Sequence, residues 1–296
     1  MRQFAGIIRR QGIGNGRQQL RCLHQRTLET AQCGADQFSL IGIVPPARDA
    51  RPGYARCCTA CPCRNTGIAL HPPGQPVLGV LMLDTNFPRP VGDIGNPESF
   101  DHPVIYRRLP GAVVSRIVTD EPLPDDLVEL FVGHARALED AGATVISTSC
   151  GFLFPLQDRL QAAVGVPVVT SALCMLPASR EKMGAGAPIG ILTFDAERLS
   201  PHHIPDDGPV VIEGLATSDH LYRVIADDLA ELDQNQACNN VADAMLRLKS
   251  REPDLTAVIL ECTNLPPYRS NILKNNVFPI YDIHDTIKHL QNNYKM

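Results

Sequence analysis

The chain has 296 residues, enough to bury the core of one large α/β domain or of two smaller ones. Its net charge of −5 is uneven, because residues 1–70 contain ten arginines, no lysine and three acids and so carry +7, which leaves −12 on the remainder. The acidic remainder argues against a nucleic-acid partner, and no apolar run approaches the roughly 20 residues of a membrane span, so we expect no membrane association.

The first 75 residues show neither a helical nor a strand period of hydrophobicity and are rich in Arg, Gln, Gly, Pro and Cys. We expect residues 1–75 to be a disordered or spurious extension. Two alternatives stay open for this segment. Its cysteines, with a C-x-x-C spacing at Cys58 and Cys61, are of a kind that binds zinc or an iron–sulfur centre, and its arginine-rich start is typical of an organelle transit peptide.

Cysteines are sparse beyond that segment. Six of the ten lie in residues 1–75, and Cys150, Cys174, Cys238 and Cys262 are spread over the rest. Four scattered cysteines do not make the framework of a secreted disulfide scaffold. The sequence therefore predicts a cytoplasmic, reducing compartment.

Short apolar runs alternate with amphipathic stretches from Pro76 onward. The runs predict strands at residues 77–83, 144–149, 166–170, 188–193, 210–214, 257–261 and 278–281. The clearest helices are predicted over residues 125–141, which Gly142 ends, and over residues 237–249. Strands that alternate with helices predict an α/β fold with parallel sheets covered on both faces.

Polar and nucleophilic residues follow several of these strands. In a parallel sheet the loops that leave the carboxyl ends of the strands form the binding site. The predicted site residues are Asp84, Thr85, Asn86, Ser149, Cys150, Gly151, Cys262, Thr263 and Asn264.

Cys150 and Cys262 have matching local settings. Each follows an apolar run, and each has a proline five residues later, Pro155 and Pro267, of the kind that starts a helix. A thiol at a helix N-terminus is drawn toward the thiolate by backbone N–H groups and by the helix dipole. The alternative for either cysteine alone is a small core residue.

Two such thiols on opposite sides of a cleft predict proton transfer at carbon. The thiolate removes a proton from one face of a substrate carbon while the thiol protonates the other, which inverts a stereocentre. Donors for the developing charge are the amides of Gly151 and Thr263 and the hydroxyls of Ser149, Thr85 and Thr263. This chemistry needs no cofactor and no metal, so we predict neither.

The runs TSCGF at 148–152 and ECTNLP at 261–266 resemble the two cysteine motifs of the aspartate/glutamate/hydantoin racemase superfamily. The resemblance covers residue 77 to the C-terminus. It implies two pseudo-symmetric α/β lobes with one catalytic cysteine from each, Cys150 and Cys262. It further implies that Asp84 and Thr85 lie near a substrate amino group, that Thr263 holds a substrate carboxylate, and that the chain forms a homodimer.

Two positions depart from the amino-acid racemases of that superfamily. Those enzymes usually carry Asn-Thr after the first cysteine, where this chain has Gly151 and Phe152, and glutamate racemases carry Thr-His after the second, where this chain has Thr263 and Asn264. The departures argue against glutamate as the substrate. Phe152 favours a more apolar ligand or one of a different shape.

The sequence thus predicts a two-cysteine racemase or epimerase that acts next to the carboxylate or carbonyl of a small-molecule acid. Open alternatives are a decarboxylase or a cis-trans isomerase of the same superfamily, or a binding protein without catalysis. We expect a first lobe of residues 76–172 with 271–296, a second lobe of residues 173–270, and a site in the cleft between them.

Overall fold

The computed structural model describes residues 75–205, 208–274 and 276–293. In these ranges the strands are β1 (Leu78–Met82), β2 (Val104–Arg108), β3 (Val145–Thr148), β4 (Val168–Val169), β5 (Ile189–Thr193), β6 (Val210–Gly214), β7 (Ala257–Leu260) and β8 (Ile280–Tyr281). The α-helices are α1 (Val114–Ile117), α2 (Asp125–Asp140), α3 (Gln157–Ala163), α4 (Leu176–Met183), α5 (His220–Ala226), α6 (Gln234–Arg251), α7 (Arg269–Leu273) and α8 (Ile283–Asn293). The predicted extension lies outside these ranges except for Gln75, as do its cysteines.

The strands form two parallel sheets with the same internal order, β2-β1-β3-β4 and β6-β5-β7-β8. The third strand of each sheet lies beside the first, with Leu78 opposite Val145 in one and Ile189 opposite Ala257 in the other. The predicted α/β class with two pseudo-symmetric parallel sheets is therefore confirmed.

This repeat places the two cysteines at equivalent points. Past β3, the Ser149 amide donates to the carbonyl of Leu81, and past β7 the Glu261 amide donates to the carbonyl of Leu192. Cys150 and Cys262 come next in the chain, each beyond the carboxyl end of the third strand of its sheet.

The seven predicted strands are all present, β6 with the predicted bounds and the other six shorter than their apolar runs, and β2 was not predicted. The sequence of β2, Val-Ile-Tyr-Arg-Arg, ends in two arginines, and its side chains are half-buried or exposed at the edge of the sheet. A run of that kind has neither the continuous apolar character of an inner strand nor a clean alternation. Pro279, which cannot donate to a neighbouring strand, lies just before β8.

Helix α2 follows its prediction closely. It buries Leu127, Phe131, Ala135 and Leu138 against the first sheet and ends before Gly142, whose φ of 95° is easily adopted by glycine. Helix α6 begins three residues earlier than predicted. The carboxylate of Asp233 caps it by accepting from the amides of Asn235 and Gln236.

The C-terminal stretch is shared between the sheets. Strand β8 pairs with β7 of the second sheet, although residues 271–296 were assigned to the first lobe. Helix α8 packs instead on the first sheet, where Ile283 and Ile287 join a buried cluster with Leu78 and Val145. The division into two lobes remains a prediction. No described helix combines the length and the apolar character of a membrane span.

Candidate active site

A small pocket lies where the loops that follow the strands of the two sheets meet. Both cysteines line it, and with them come Arg89, Ser149, Gly151, Glu261, Thr263 and Asn264. The remaining lining residues are apolar: Leu83, Phe87, Val114, Val118, Phe152, Phe194 and Ile225. Six of the nine predicted site residues, all except Asp84, Thr85 and Asn86, are therefore brought together here.

A 3-10 turn, and not an α-helix, follows each cysteine, directly after Cys150 and four residues after Cys262. Gly151–Leu156 is the turn after Cys150 and contains Pro155, and Pro266–Tyr268, with Pro267, is the turn after Cys262. Pro267 thus lies in a first helical turn as expected, whereas Pro155 lies near the end of its 3-10 turn, two residues before α3; α3 and α7 continue from these turns. Both thiols are free.

Burial raises the pKa of both thiols. The pKa of Cys150 rises to about 12 through burial and the charge of Glu261, against the amide of Phe152 and the charge of Arg89. The pKa of Cys262 rises for the same two leading reasons, against the amide of Asn264. The helix-start amides expected to favour the thiolate are present, but loss of water outweighs them.

One hydrogen bond joins the two cysteine loops. The hydroxyl of Thr263 donates to the carbonyl of Ser149 over 2.7 Å, and both residues are buried. The Thr263 hydroxyl proton is thus engaged within the protein. The hydroxyl oxygen of Ser149 accepts from the amide of Leu83 at 2.9 Å, which ties the same loop to the end of β1.

Arg89 is the cation of the pocket lining. Its Nη1 donates to Asp93 at 2.9 Å, its Nη2 donates to Thr85 at 3.0 Å, and its guanidinium lies 4.4 Å from the ring centroid of Phe87. A guanidinium has five N–H donors, so these two contacts leave donors for a carboxylate. Arg89 was not among the predicted site residues.

Asp93 extends this network to the second cysteine. It is 1 % exposed, and besides Arg89 it accepts from the amide of Gly95 at 2.7 Å and from Nδ2 of Asn264 at 2.6 Å. The Oδ1 of Asn264 in turn accepts from the Cys262 thiol at 3.6 Å. The Arg89–Asp93 pair therefore fixes the amide that contacts one of the two thiols.

Glu261 is a buried acid between the cysteine loops. Its Oε2 accepts from the Thr193 hydroxyl at 2.6 Å, and burial raises the pKa of its carboxyl to about 7 although the Thr193 hydrogen bond acts the other way. Gly151 lies directly against it. A Cβ at position 151 would collide with the carbonyl oxygen and the carboxyl group of Glu261.

Gly151→Ala is therefore expected to destabilise the fold by about 1–3 kcal/mol, the usual cost of forcing an extra methyl into a packed site. Urea denaturation gives the free energy of unfolding. The matched control is Gly133→Ala on the surface of α2, where no heavy atom would lie within 4 Å of the new methyl. That variant should gain about 0.5–1 kcal/mol, and equal effects in the two variants would contradict the collision.

The predicted residues that follow β1 lie elsewhere. Asp84 pairs with Arg108 at 3.6 Å and accepts from the amide of Gly111, while exposed Asn86 binds Asp228 through its amide and side chain. Thr85 is buried and accepts a hydrogen bond from Arg89, which lines the pocket. These three are not in the pocket lining, and their role in substrate binding stays a prediction.

The fold and the site define an α/β protein with an internal repeat, in which a cysteine follows the third strand of each of two parallel sheets and both thiols line one pocket. The chain belongs to the Asp/Glu/hydantoin racemase family, whose model matches residues 101–286.

The curated relatives have a different activity in their names. The chain is 29 % identical over 232 residues to dimethylsulfoniopropionate lyase 3 of Emiliania huxleyi strain CCMP1516, a match that covers 75 % of this chain and 60 % of that protein. It is 27 % identical over 215 residues to the dimethylsulfoniopropionate lyase of Durusdinium sp. clade D, covering 69 % and 70 %. The chain thus spans about 60 % of the length of the first of these relatives.

Among solved structures, glutamate racemase isoform RacE1 from Bacillus anthracis superposes with a TM-score of 0.44 at 19 % identity. That match covers 74 % of this chain and 83 % of the racemase.

Proposed function

We propose that this protein is a cysteine-dependent lyase that removes the proton α to the carboxylate of a small acid and expels an apolar group from the β carbon. The observation that carries the proposal is the pocket itself, which combines two thiols, one guanidinium and three phenylalanines. The thiols supply the base, and Arg89 supplies the carboxylate partner.

The lining favours an apolar or softly cationic substituent over an amino group. Phe87, Phe152 and Phe194 offer aromatic faces, which attract diffuse cations such as a sulfonium. Asp84, which the resemblance implied to lie near a substrate amino group, lies outside the lining, and the acid that does line the pocket is Glu261, which is buried beside the cysteine loops. A sulfonio acid of the kind named in the relatives satisfies both ends of the pocket.

With dimethylsulfoniopropionate the proposed step is a β-elimination. A cysteine thiolate takes the α proton, the electrons of that C–H bond form the new C=C bond, and the C–S bond breaks with its pair going to sulfur. The products are acrylate and dimethyl sulfide. Arg89 holds the carboxylate on which negative charge builds as the proton leaves.

Racemisation or epimerisation is the second candidate, favoured by the equivalent positions of Cys150 and Cys262 in one pocket. It begins with the same removal of the α proton. The outcome then depends on whether the carbanion is reprotonated by the second thiol or loses a β leaving group.

Incubation of the full chain with dimethylsulfoniopropionate should release dimethyl sulfide, measured by headspace gas chromatography. In parallel, NMR in D₂O follows exchange of the α proton of chiral amino and hydroxy acids, and polarimetry follows loss of rotation. The Cys150→Ala/Cys262→Ala variant is the blank. Exchange with loss of rotation but no dimethyl sulfide would favour the racemase, and no release above the blank contradicts the lyase.

A further inference from the structure

The carboxyl group of Glu261 is buried with an incomplete set of partners. Glu261 is 0 % exposed, and while its Oε2 accepts from Thr193, its Oε1 has no hydrogen-bond partner in the part of the chain that the structure describes. An unpartnered buried oxygen is costly for an ionised carboxylate. A carboxyl group buried at this cost beside two thiols indicates a functional role.

The position of Glu261 relates it to both thiols. It directly precedes Cys262, and its Oε1 occupies the space beside Gly151, the residue after Cys150. After burial, the charge of Glu261 is the largest cause that raises the pKa of each thiol. An ionised Glu261 and a thiolate therefore disfavour each other. The most stable ionised state of Glu261, Cys150 and Cys262 taken together carries one negative charge.

We propose that Glu261 holds the proton that a cysteine loses when its thiolate forms, so that Glu261, Cys150 and Cys262 act as one proton-sharing cluster. In this step the S–H bond of one thiol breaks and an O–H bond forms on the Glu261 carboxylate, with no change in the total charge. The inference rests on the proposed function only in that the thiolate then serves as the base of the lyase.

The groups around the cluster place the loss of its first proton near neutral pH. Burial raises the pKa of Glu261 to about 7, so the cluster loses its first proton in that range. Arg89 favours the thiolate of Cys150, and Asp93 opposes that of Cys262. His203 packs against Phe152, and burial with the charge of His202 lowers its pKa to about 4, so it is neutral there.

The consequence is a distinctive pH profile for the thiols. Below the pKa of Glu261 the thiolate population rises tenfold per pH unit. Above it, the cluster already carries its one charge, and the thiolate population becomes independent of pH. Without a titrating group at position 261, the population would continue to rise into the alkaline range.

Alkylation by iodoacetamide, resolved by peptide mass spectrometry, tests this on the full chain without any substrate. The rate at Cys150 and Cys262 should rise with pH and level off near pH 7. In Glu261→Gln the break near pH 7 should disappear, and the rate should keep rising toward the range of an isolated thiol or beyond. Glu213→Gln in the edge strand β6 is the matched control and should keep the break.

Thr193→Val is a second variant that keeps the carboxyl group. It removes the hydroxyl that stabilises the carboxylate, so the break should move up by about one pH unit. This variant decides the matter if Glu261→Gln does not fold. A break that stays near pH 7 in both variants, or is absent from the unmodified chain, overturns the cluster. Because no turnover is measured, failure of the lyase proposal leaves these outcomes intact.

Discussion

Cys150→Ala is expected to lower the turnover of the α-proton reaction by roughly 10²–10⁴-fold, the usual contribution of a positioned acid or base. Cys262→Ala should show whether the second thiol is an equal partner. For racemisation both variants lose activity to a similar degree, because each face of the carbon needs its own proton carrier. For elimination of a neutral sulfide, which needs no acid, the variant without the base suffers far more than the other.

The control for these variants is Cys174→Ala. Cys174 is also a free thiol, but it lies outside the pocket lining and its thiol donates to Gln157. Turnover of that variant should match the unmodified chain, and circular dichroism should show all three folded. Full turnover in both pocket variants would rule out the cysteine pair as the source of catalysis.

The inner strands could be predicted because their signal is local. The runs around Val80, Ile146 and Ile259 are apolar on both faces, as strands covered by helices on either side must be. Strand β2 was not predicted because the side chains of an edge strand are less buried, so arginines are tolerated there. The assignment of the C-terminal stretch needed tertiary information, since nothing local shows that Ile280 pairs with Val258.

The site residues that directly follow strands could be predicted. Those carried by the long connection between β1 and β2 could not. Cys150, Cys262 and their neighbours stand at strand ends, a position that the sequence pattern reveals. Arg89 and Asp93 lie in the connection from β1 to β2. Asp93 joins the site through Asn264, 171 residues away in the sequence, and Arg89 pairs with Asp93. The sequence around these residues contains no pattern from which such long-range contacts could be predicted.

The thiols illustrate how local and long-range physics diverge. A cysteine at a helix start is expected to favour the thiolate, and the amides of Phe152 and Asn264 do act in that direction. Burial is a property of the whole fold, and it dominates the result. The same burial converts Glu261 from a strand-end acid into a carboxyl group that titrates near neutral pH.

The Arg89–Asp93 pair allows binding and stability to be separated. Arg89→Met removes the guanidinium and leaves the buried Asp93 carboxylate without its cation, which is expected to cost about 3 kcal/mol in the free energy of unfolding. The matched control is Arg108→Met, which breaks the more exposed pair with Asp84. That change should cost less than about 1 kcal/mol.

Adding Asp93→Asn to Arg89→Met should restore part of the lost stability, because the neutral amide needs no cation and keeps the amide of Gly95 as a donor. Turnover should not return, because the substrate carboxylate still has no guanidinium to bind. Urea denaturation measures the first effect, and kcat/KM for the substrate that the unmodified chain turns over measures the second. If the double variant regains both, Arg89 serves only to neutralise Asp93, and the carboxylate partner of the substrate must be sought among the backbone amides of the cysteine loops.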